Sequence, residues 1–363
     1  MSNRRRCRSV MYLCIALCMY LVGVTGCGRV LPGASDSAEA GTSGEKNRTD
    51  VTFMLNWIPD TNHIGVYVAQ NKGWYAQAGL NVTIVGVAQA GPDQAVNSGV
   101  ADFALSNMAN VGAFSLKDVH LRQVLQVQQR PSAIWCALAS NHAISSPKDF
   151  DGTTFATFGA SEDSAIVKRM IQHDGGTGEF DSVTVGTSTF QVLQAGKADF
   201  GGFYSTWEGV QASLAGPQMN CFKGEDYGVP GNPNELGIIT KASTVEQNPD
   251  LVRAFVQATQ RGYEYAYSHP EEAADILVKE ASEANLDPAL VQASMSYIIE
   301  NQYWGDPEKI ADGSFALGQA DIAGAQQYFD FIAEAHAYTD KNDVPTAKAP
   351  QAAELASDEF LAK

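Results

Sequence analysis

The chain's 363 residues are enough for two domains of ordinary size, and they carry a formal net charge of −17 with 45% hydrophobic residues. So acidic a surface repels nucleic acid and anionic lipid head groups, which argues against both as partners. No Ser-His-Asp series, G-x-x-x-x-G-K-[ST] loop or H-E-x-x-H pair occurs at useful spacing, so hydrolytic and nucleotide chemistry have no support.

The chain opens on Arg4, Arg5, Arg6 and Arg8 followed by an apolar run over 10–24. That is the charged start and short hydrophobic core of a secretion signal, too short to span a bilayer comfortably. The run ends in Val24-Thr25-Gly26-Cys27, which resembles the bacterial lipobox. The resemblance implies a leader over 1–26, cleavage before Cys27 and a diacylglyceryl group on its sulfur. Loss of the leader's four arginines makes the charge more negative still. Residues 27–50 are rich in Gly, Ser, Ala and charge, with almost nothing to bury, and read as a flexible tether. The expected location is the extracytoplasmic face of the cell membrane, held there by lipid. Of six cysteines only Cys136 and Cys221 then stay in the fold, with no C-x-x-C spacing, so no metal site is expected. Two buried free thiols are the expectation, with a disulfide the alternative that an oxidising compartment allows.

The folded part starts near Val51. A strand over 51–57 leads to a helix over 62–78 with Gly79 as its C-cap, a strand over 81–87, a short helix over 92–98, a strand over 102–105 and a helix over 107–116. The same order returns: strand 153–157, helix 161–173, strand 182–186, short helix 190–194, strand 199–203. A local echo supports the parallel, since Gly99-Val100-Ala101-Asp102-Phe103 and Gly196-Lys197-Ala198-Asp199-Phe200 fall at matching places. Alternating strands and helices predict two doubly wound α/β lobes, each with a mostly parallel sheet. Extended runs at 132–139 and 235–240 suit a two-strand hinge, which sets lobe one at 51–132 plus 235–363 and lobe two at 133–234. After the return come helices over 249–269, 270–284, 288–302 and 321–338, with prolines at or near their starts. The stretch 339–363 is expected to be only partly ordered.

Open parallel sheets bind ligands beyond the carboxyl ends of their strands. This nominates four junctions, at 57–63 and 106–107 in lobe one and at 158–162 and 204–208 in lobe two. Trp57 and Tyr204 offer flat faces on which a heteroaromatic ring stacks, and Glu208 can accept hydrogen bonds from an amino-substituted ring. Asn62, His63, Ser106, Asn107, Gln128 and Ser161 complete the candidate ligand-binding set.

Residues 55–69, reading LNWIPDTNHIGVYVA, followed by Lys72-Gly73-Trp74-Tyr75, resemble the opening motif of the thiamine-pyrimidine-precursor binding and synthesis family. That family lies within the nitrate, sulfonate and taurine type of solute-binding proteins. The likeness continues through Gln129-Arg130-Pro131, 146–152, 202–209 (GFYSTWEG), Tyr227-Gly228-Val229-Pro230 and Asn248-Pro249. It implies a type II periplasmic-binding-protein fold and an ABC-importer protein that hands a small heterocycle to permease subunits. Such a protein is a monomer with no cofactor, no catalytic residue and no metal. In transporter members the residues matching Trp57 and Glu208 stack on and hydrogen-bond an aminopyrimidine. The rival reading is the synthase branch, which makes the pyrimidine from pyridoxal phosphate and its own histidine. There the pyridoxal-holding lysine falls on Ser106 and the sacrificial histidine on Asn110, and the C-C-C-F-C motif of that branch is absent. Departures at Asp60 and at 158–161 leave room for another flat ligand such as a flavin, or for a sulfonate.

Overall fold

The computed structural model describes residues 48–362 apart from Ser161 and Pro233. The leader, Cys27 and nearly all of the tether fall outside the described residues. Among the described residues no helix is long and apolar enough to cross a membrane.

Two five-stranded sheets organise the chain. The first is ordered β2-β1-β3-β10-β4, with β1 Thr49–Met54, β2 Leu80–Val85, β3 Phe103–Ser106, β4 Leu121–Gln126 and β10 Gly237–Lys241. The second is ordered β7-β6-β8-β5-β9, with β5 Ala133–Leu138, β6 Thr154–Thr157, β7 Asp181–Thr184, β8 Phe200–Tyr204 and β9 Met219–Lys223. In each sheet three strands run parallel, and a fourth lies antiparallel to both of its neighbours, β10 in the first and β5 in the second. Those antiparallel strands are the two extended runs legible in the sequence. The chain crosses between sheets just ahead of each of them, and there the Val127 and Gln128 amides both donate to Leu236 O, at 2.9 and 3.2 Å.

The five-residue echo has a structural reason. Gly99 and Gly196 adopt φ of 78° and 64°, a left-handed turn that glycine enters without a Cβ penalty. Each turn delivers an aspartate onto the neighbouring strand. Asp102 accepts from the Thr52 amide at 2.8 Å, and Asp199 accepts from the Thr154 amide at the same distance. The sequence repeat therefore pins the start of the equivalent strand in both lobes.

Stacked rings fill both cores. Phe103 and Tyr75 lie at 4.1 and 5.3 Å from Phe255 in the first lobe, and Phe150 and Phe155 at 3.8 and 4.9 Å from Phe200 in the second. Burying each such ring contributes about 1.5–3 kcal/mol. Helix Pro249–Ser268 packs on helix Ile64–Asn71 at closest approach through Gly262, where a Cβ would come 1.9 Å from Gly65 O. This contact also seats the ligand-side turn, because the Tyr263 hydroxyl donates to Asn62 O at 2.6 Å.

Two expectations need correction. The helix expected over 62–78 is split into Ile64–Asn71 and Trp74–Gln77, with a short 3-10 turn at Thr61–His63 before it. The C-terminal stretch is folded rather than partly ordered. Ala356 bridges Gln123 on edge strand β4, Phe360 is fully buried in the first core, and the Ala362 amide donates to Gln260. The tail thereby covers a sheet edge that would otherwise be open to pairing. Its Ala- and charge-rich composition hid the anchoring role of Phe360.

The two cysteines are also not free thiols. Cys136 on β5 and Cys221 on β9 are direct cross-strand partners and form a disulfide, and Cys221 is exposed rather than buried. Sequence distance hid the pairing because β9 gave no strand signal of its own.

Candidate functional site

A cavity of about 660 Å³ opens at the carboxyl ends of the parallel strands of both sheets. Of the sequence-derived candidates, Trp57, Ser106, Asn107, Tyr204 and Glu208 line it. Asn62, His63 and Gln128 do not, and Ser161 lies outside the described residues. The three buried polar residues brace the wall instead. His63 is fully buried with Nε2 3.0 Å from Asn56 Oδ1 and Nδ1 3.1 Å from the Asp60 amide. It holds the turn that presents Trp57. Asn62 is bonded to Asp60, and the Gln128 amide donates to Arg130 O and to Glu235.

Glu208 sits in a π-helical turn, Ser205–Gly209, directly after β8. Burial pushes its carboxyl up to about 7. Hydrogen bonds from the Tyr204 and Glu208 amides pull the other way, and the Asp60 charge adds to the rise. The Tyr204 amide donates to Glu208 Oε2 at 3.1 Å. Single π turns of this kind recur at functional sites. The Tyr204 phenol is held well above its ordinary range by burial first, then by the charges of Glu235, Glu208, Asp163 and Glu162.

Sequence reasoning passed over several wall residues. Phe158 and Asp163 stand at or beside a junction it had nominated, so their omission was a matter of choice. Glu235 comes from the second crossing. Its buried carboxyl, pushed up to about 7 by burial, accepts from Ser132 Oγ at 2.6 Å, the Ser132 amide at 2.8 Å, the Ala133 amide at 3.1 Å and Gln128 Nε2 at 3.2 Å. It ties the two crossings together while facing the cavity. Tyr328 and Tyr338 come from the C-terminal region and have no local signal in the sequence.

The electrostatics of the cavity are one-sided. Glu162, Asp163, Glu208, Glu225 and Glu235 line it, while among the described lining residues the one cation is Lys117, whose Nζ lies 2.7 Å from Asp343. At or beside each of the four junctions one amide is already held by a side chain of the protein itself. Asp60 accepts from the Asn62 amide at 2.8 Å, Asn107 from the Asn110 amide at 2.8 Å, Asp163 from the Ala160 amide at 3.2 Å, and Glu208 from the Tyr204 amide. Helix starts and turns that commonly receive an anion here already give one amide each to the chain's own oxygens. Ser106 and Asn110 are likewise engaged, the Ser106 hydroxyl donating to Asp93 at 2.8 Å and the Asn110 amide group at 3.4 Å. Among the described residues no cluster of His, Cys, Asp and Glu is placed to hold a metal.

Residues 60–273, which hold β2 to β10 and the helix Pro249–Ser268, match the family described as NMT1/THI5 like. The chain belongs to this family. A formylaminopyrimidine-binding protein of Halalkalibacterium halodurans is 31% identical over 255 residues, covering 69% of this chain and 77% of that protein. A riboflavin-binding protein, RibY, of Chloroflexus aurantiacus is 27% identical over 273 residues, covering 72% and 75%. Among solved structures, the alkanesulfonate-binding protein SsuA of Xanthomonas axonopodis pv. citri bound to MOPS superposes with a TM-score of 0.60 at 14% identity, covering 88% of this chain and all of that one. The last likeness speaks for the fold: this NMT1/THI5-like chain has the periplasmic-binding-protein architecture.

Proposed function

We propose that the protein is the extracytoplasmic solute-binding component of an ABC importer, and that it takes an amino-substituted aromatic heterocycle of the aminopyrimidine class. The observation that carries this reading is that Trp57 and Glu208, one from each sheet, line one cavity in which Glu208 has no cationic side chain beside it among the described lining residues other than the Asp343-paired Lys117. Stacking supplies area, and the carboxyl supplies direction. A nitrate, sulfonate or phosphate would enter a cavity lined by five acids whose one described cation is already paired, which disfavours the anionic ligands of the wider structural class. The formylaminopyrimidine-binding relative supports the choice of ring. Ser106 and Asn110, committed to Asp93, offer neither a Schiff-base amine nor an imidazole, which favours binding over synthesis. Calorimetric titration with 4-amino-5-hydroxymethyl-2-methylpyrimidine tests the reading, and no binding at micromolar protein would sink it.

A second reading is favoured by volume. The cavity falls in the range of about 300–1,000 Å³ typical of sites for larger, drug-sized molecules, so a flavin is admissible, as the riboflavin-binding relative also suggests. Trp57→Ala is expected to weaken either flat ligand by about 5- to 150-fold, since stacking is worth about 1–3 kcal/mol. Quenching of riboflavin fluorescence by the wild type, lost in this variant, would favour the flavin.

The disulfide fits an oxidising compartment and so supports export. The proposed anchor is diacylglyceryl-modified Cys27, with further acylation strengthening the hold because two chains anchor far better than one. Cys27→Ser is expected to release the protein from the membrane fraction. Retention of an unlipidated Cys27→Ser chain in that fraction would refute the anchor.

A further inference from the structure

Trp57 and Phe158 meet across the cleft. Trp57 follows β1 of the first sheet, Phe158 follows β6 of the second, and both line the cavity. Their ring centroids are 4.6 Å apart with the planes tilted by 50°. Phe158 is 47% exposed, and neither ring belongs to the hydrophobic core of its lobe. A large apolar side chain left half in solvent by its own lobe makes its aromatic contact with the other one. The turn that presents it is fixed from behind, since the Gly159 amide donates to Thr157 Oγ1 at 2.8 Å while the Thr157 hydroxyl donates to Asp163.

We propose that Phe158 is a clasp on the ring-binding wall: it closes from the second lobe onto Trp57 of the first, so that ligand release requires breaking an aromatic contact made across the cleft. This rests on the reading of the cleft as the ligand site. The contact exists only when the lobes are together, so it adds to the closed state and leaves the open state unchanged. Aromatic pairs at this separation shift such an equilibrium by about 2- to 12-fold. The effect falls on dissociation, because entry occurs through the open form. Phe158 is thus a positioning residue that acts through Trp57.

The test uses Phe158→Ala and Phe158→Tyr in the full mature chain. Stopped-flow displacement of 4-amino-5-hydroxymethyl-2-methylpyrimidine is expected to show about 2- to 12-fold faster release from Phe158→Ala, an association rate within twofold of wild type, and near-normal release from Phe158→Tyr. Release at the wild-type rate from Phe158→Ala, or equally fast release from Phe158→Tyr, overturns the clasp. A second readout needs no ligand. Nitroxides at the exposed positions Val100→Cys and Leu214→Cys, one in each lobe, report the interlobe distance. Phe158→Ala is expected to move that distribution towards longer distances, and an unchanged distribution refutes the proposal. If the wild type fails to bind the pyrimidine, the proposed ligand falls while the label distances still decide the clasp.

Discussion

Replacing the disulfide with Cys136→Ala and Cys221→Ser is expected to lower the stability of the protein by about 4.5 kcal/mol, the chain-entropy value for a loop of this length. The bond joins residues 85 apart, so in the unfolded chain it removes a large closed loop's worth of freedom. The loss should be local first. β9 is the edge of its sheet and pairs only with β5, so without the bond its register rests on ladder hydrogen bonds and half-exposed side chains. Hydrogen exchange is therefore expected to rise over 219–223 before the rest of the lobe, and the urea midpoint to fall. Gly224 and Glu225 follow β9 and line the cavity, so fraying there reaches the ligand wall as well. A midpoint unchanged from wild type would show that the bond contributes nothing.

That bond was not legible in the sequence, and the reason is instructive. Most strands and helices of the two βα series were readable from a buried stripe or a bounding glycine or proline, and the fully exposed β7 from its place in the repeated order. β9 has Gly224 at its end but no buried stripe, as its residues are half-exposed or exposed and it belongs to the sheet only through β5. Without β9 there was no register to bring Cys221 opposite Cys136. The site divided along the same line. Trp57, Ser106, Asn107, Tyr204 and Glu208 were legible because strand ends nominate their own loops. Asn62, His63 and Gln128 are polar candidates that do not line the cavity: the Asn62 and Gln128 side-chain NH2 groups and the His63 ring are spent on neighbours, while Asn62 Oδ1 and Gln128 Oε1 stay buried without a partner. Sequence gives the residue at a strand end but not the direction of its side chain. Glu235, Tyr328 and Tyr338 reach the cavity through long-range packing that no local pattern encodes.

Replacing Glu208 with Gln is expected to weaken 4-amino-5-hydroxymethyl-2-methylpyrimidine by about 1.5–3 kcal/mol, the range for hydrogen bonds to charged groups. The wild-type affinity is also expected to depend on pH in one direction. Burial raises the free carboxyl to about 7. The bound pair needs one proton between the carboxyl and a ring nitrogen, and the π-turn amides around Glu208 favour leaving the negative charge on the carboxylate and the proton on the ring. Below pH 7 the free protein already holds that proton on Glu208, so binding neither gains nor loses one until the ring itself titrates. Above pH 7 the free carboxyl has lost it while the free ring is neutral, so binding must take a proton from solvent. Affinity should then fall by about tenfold per pH unit. A ligand with a fixed positive charge would show the opposite slope, tightening as Glu208 ionises, because its cation would displace the proton. Glu208→Gln removes this titration, so its weaker affinity should lose most of the slope across the same window, leaving only the smaller contribution of Glu235, whose carboxyl is also raised to about 7. Calorimetry from pH 5.5 to 8.5 on both proteins reads all of this at once. A wild-type affinity that is independent of pH, together with an unaffected Gln variant, would remove Glu208 from ligand recognition.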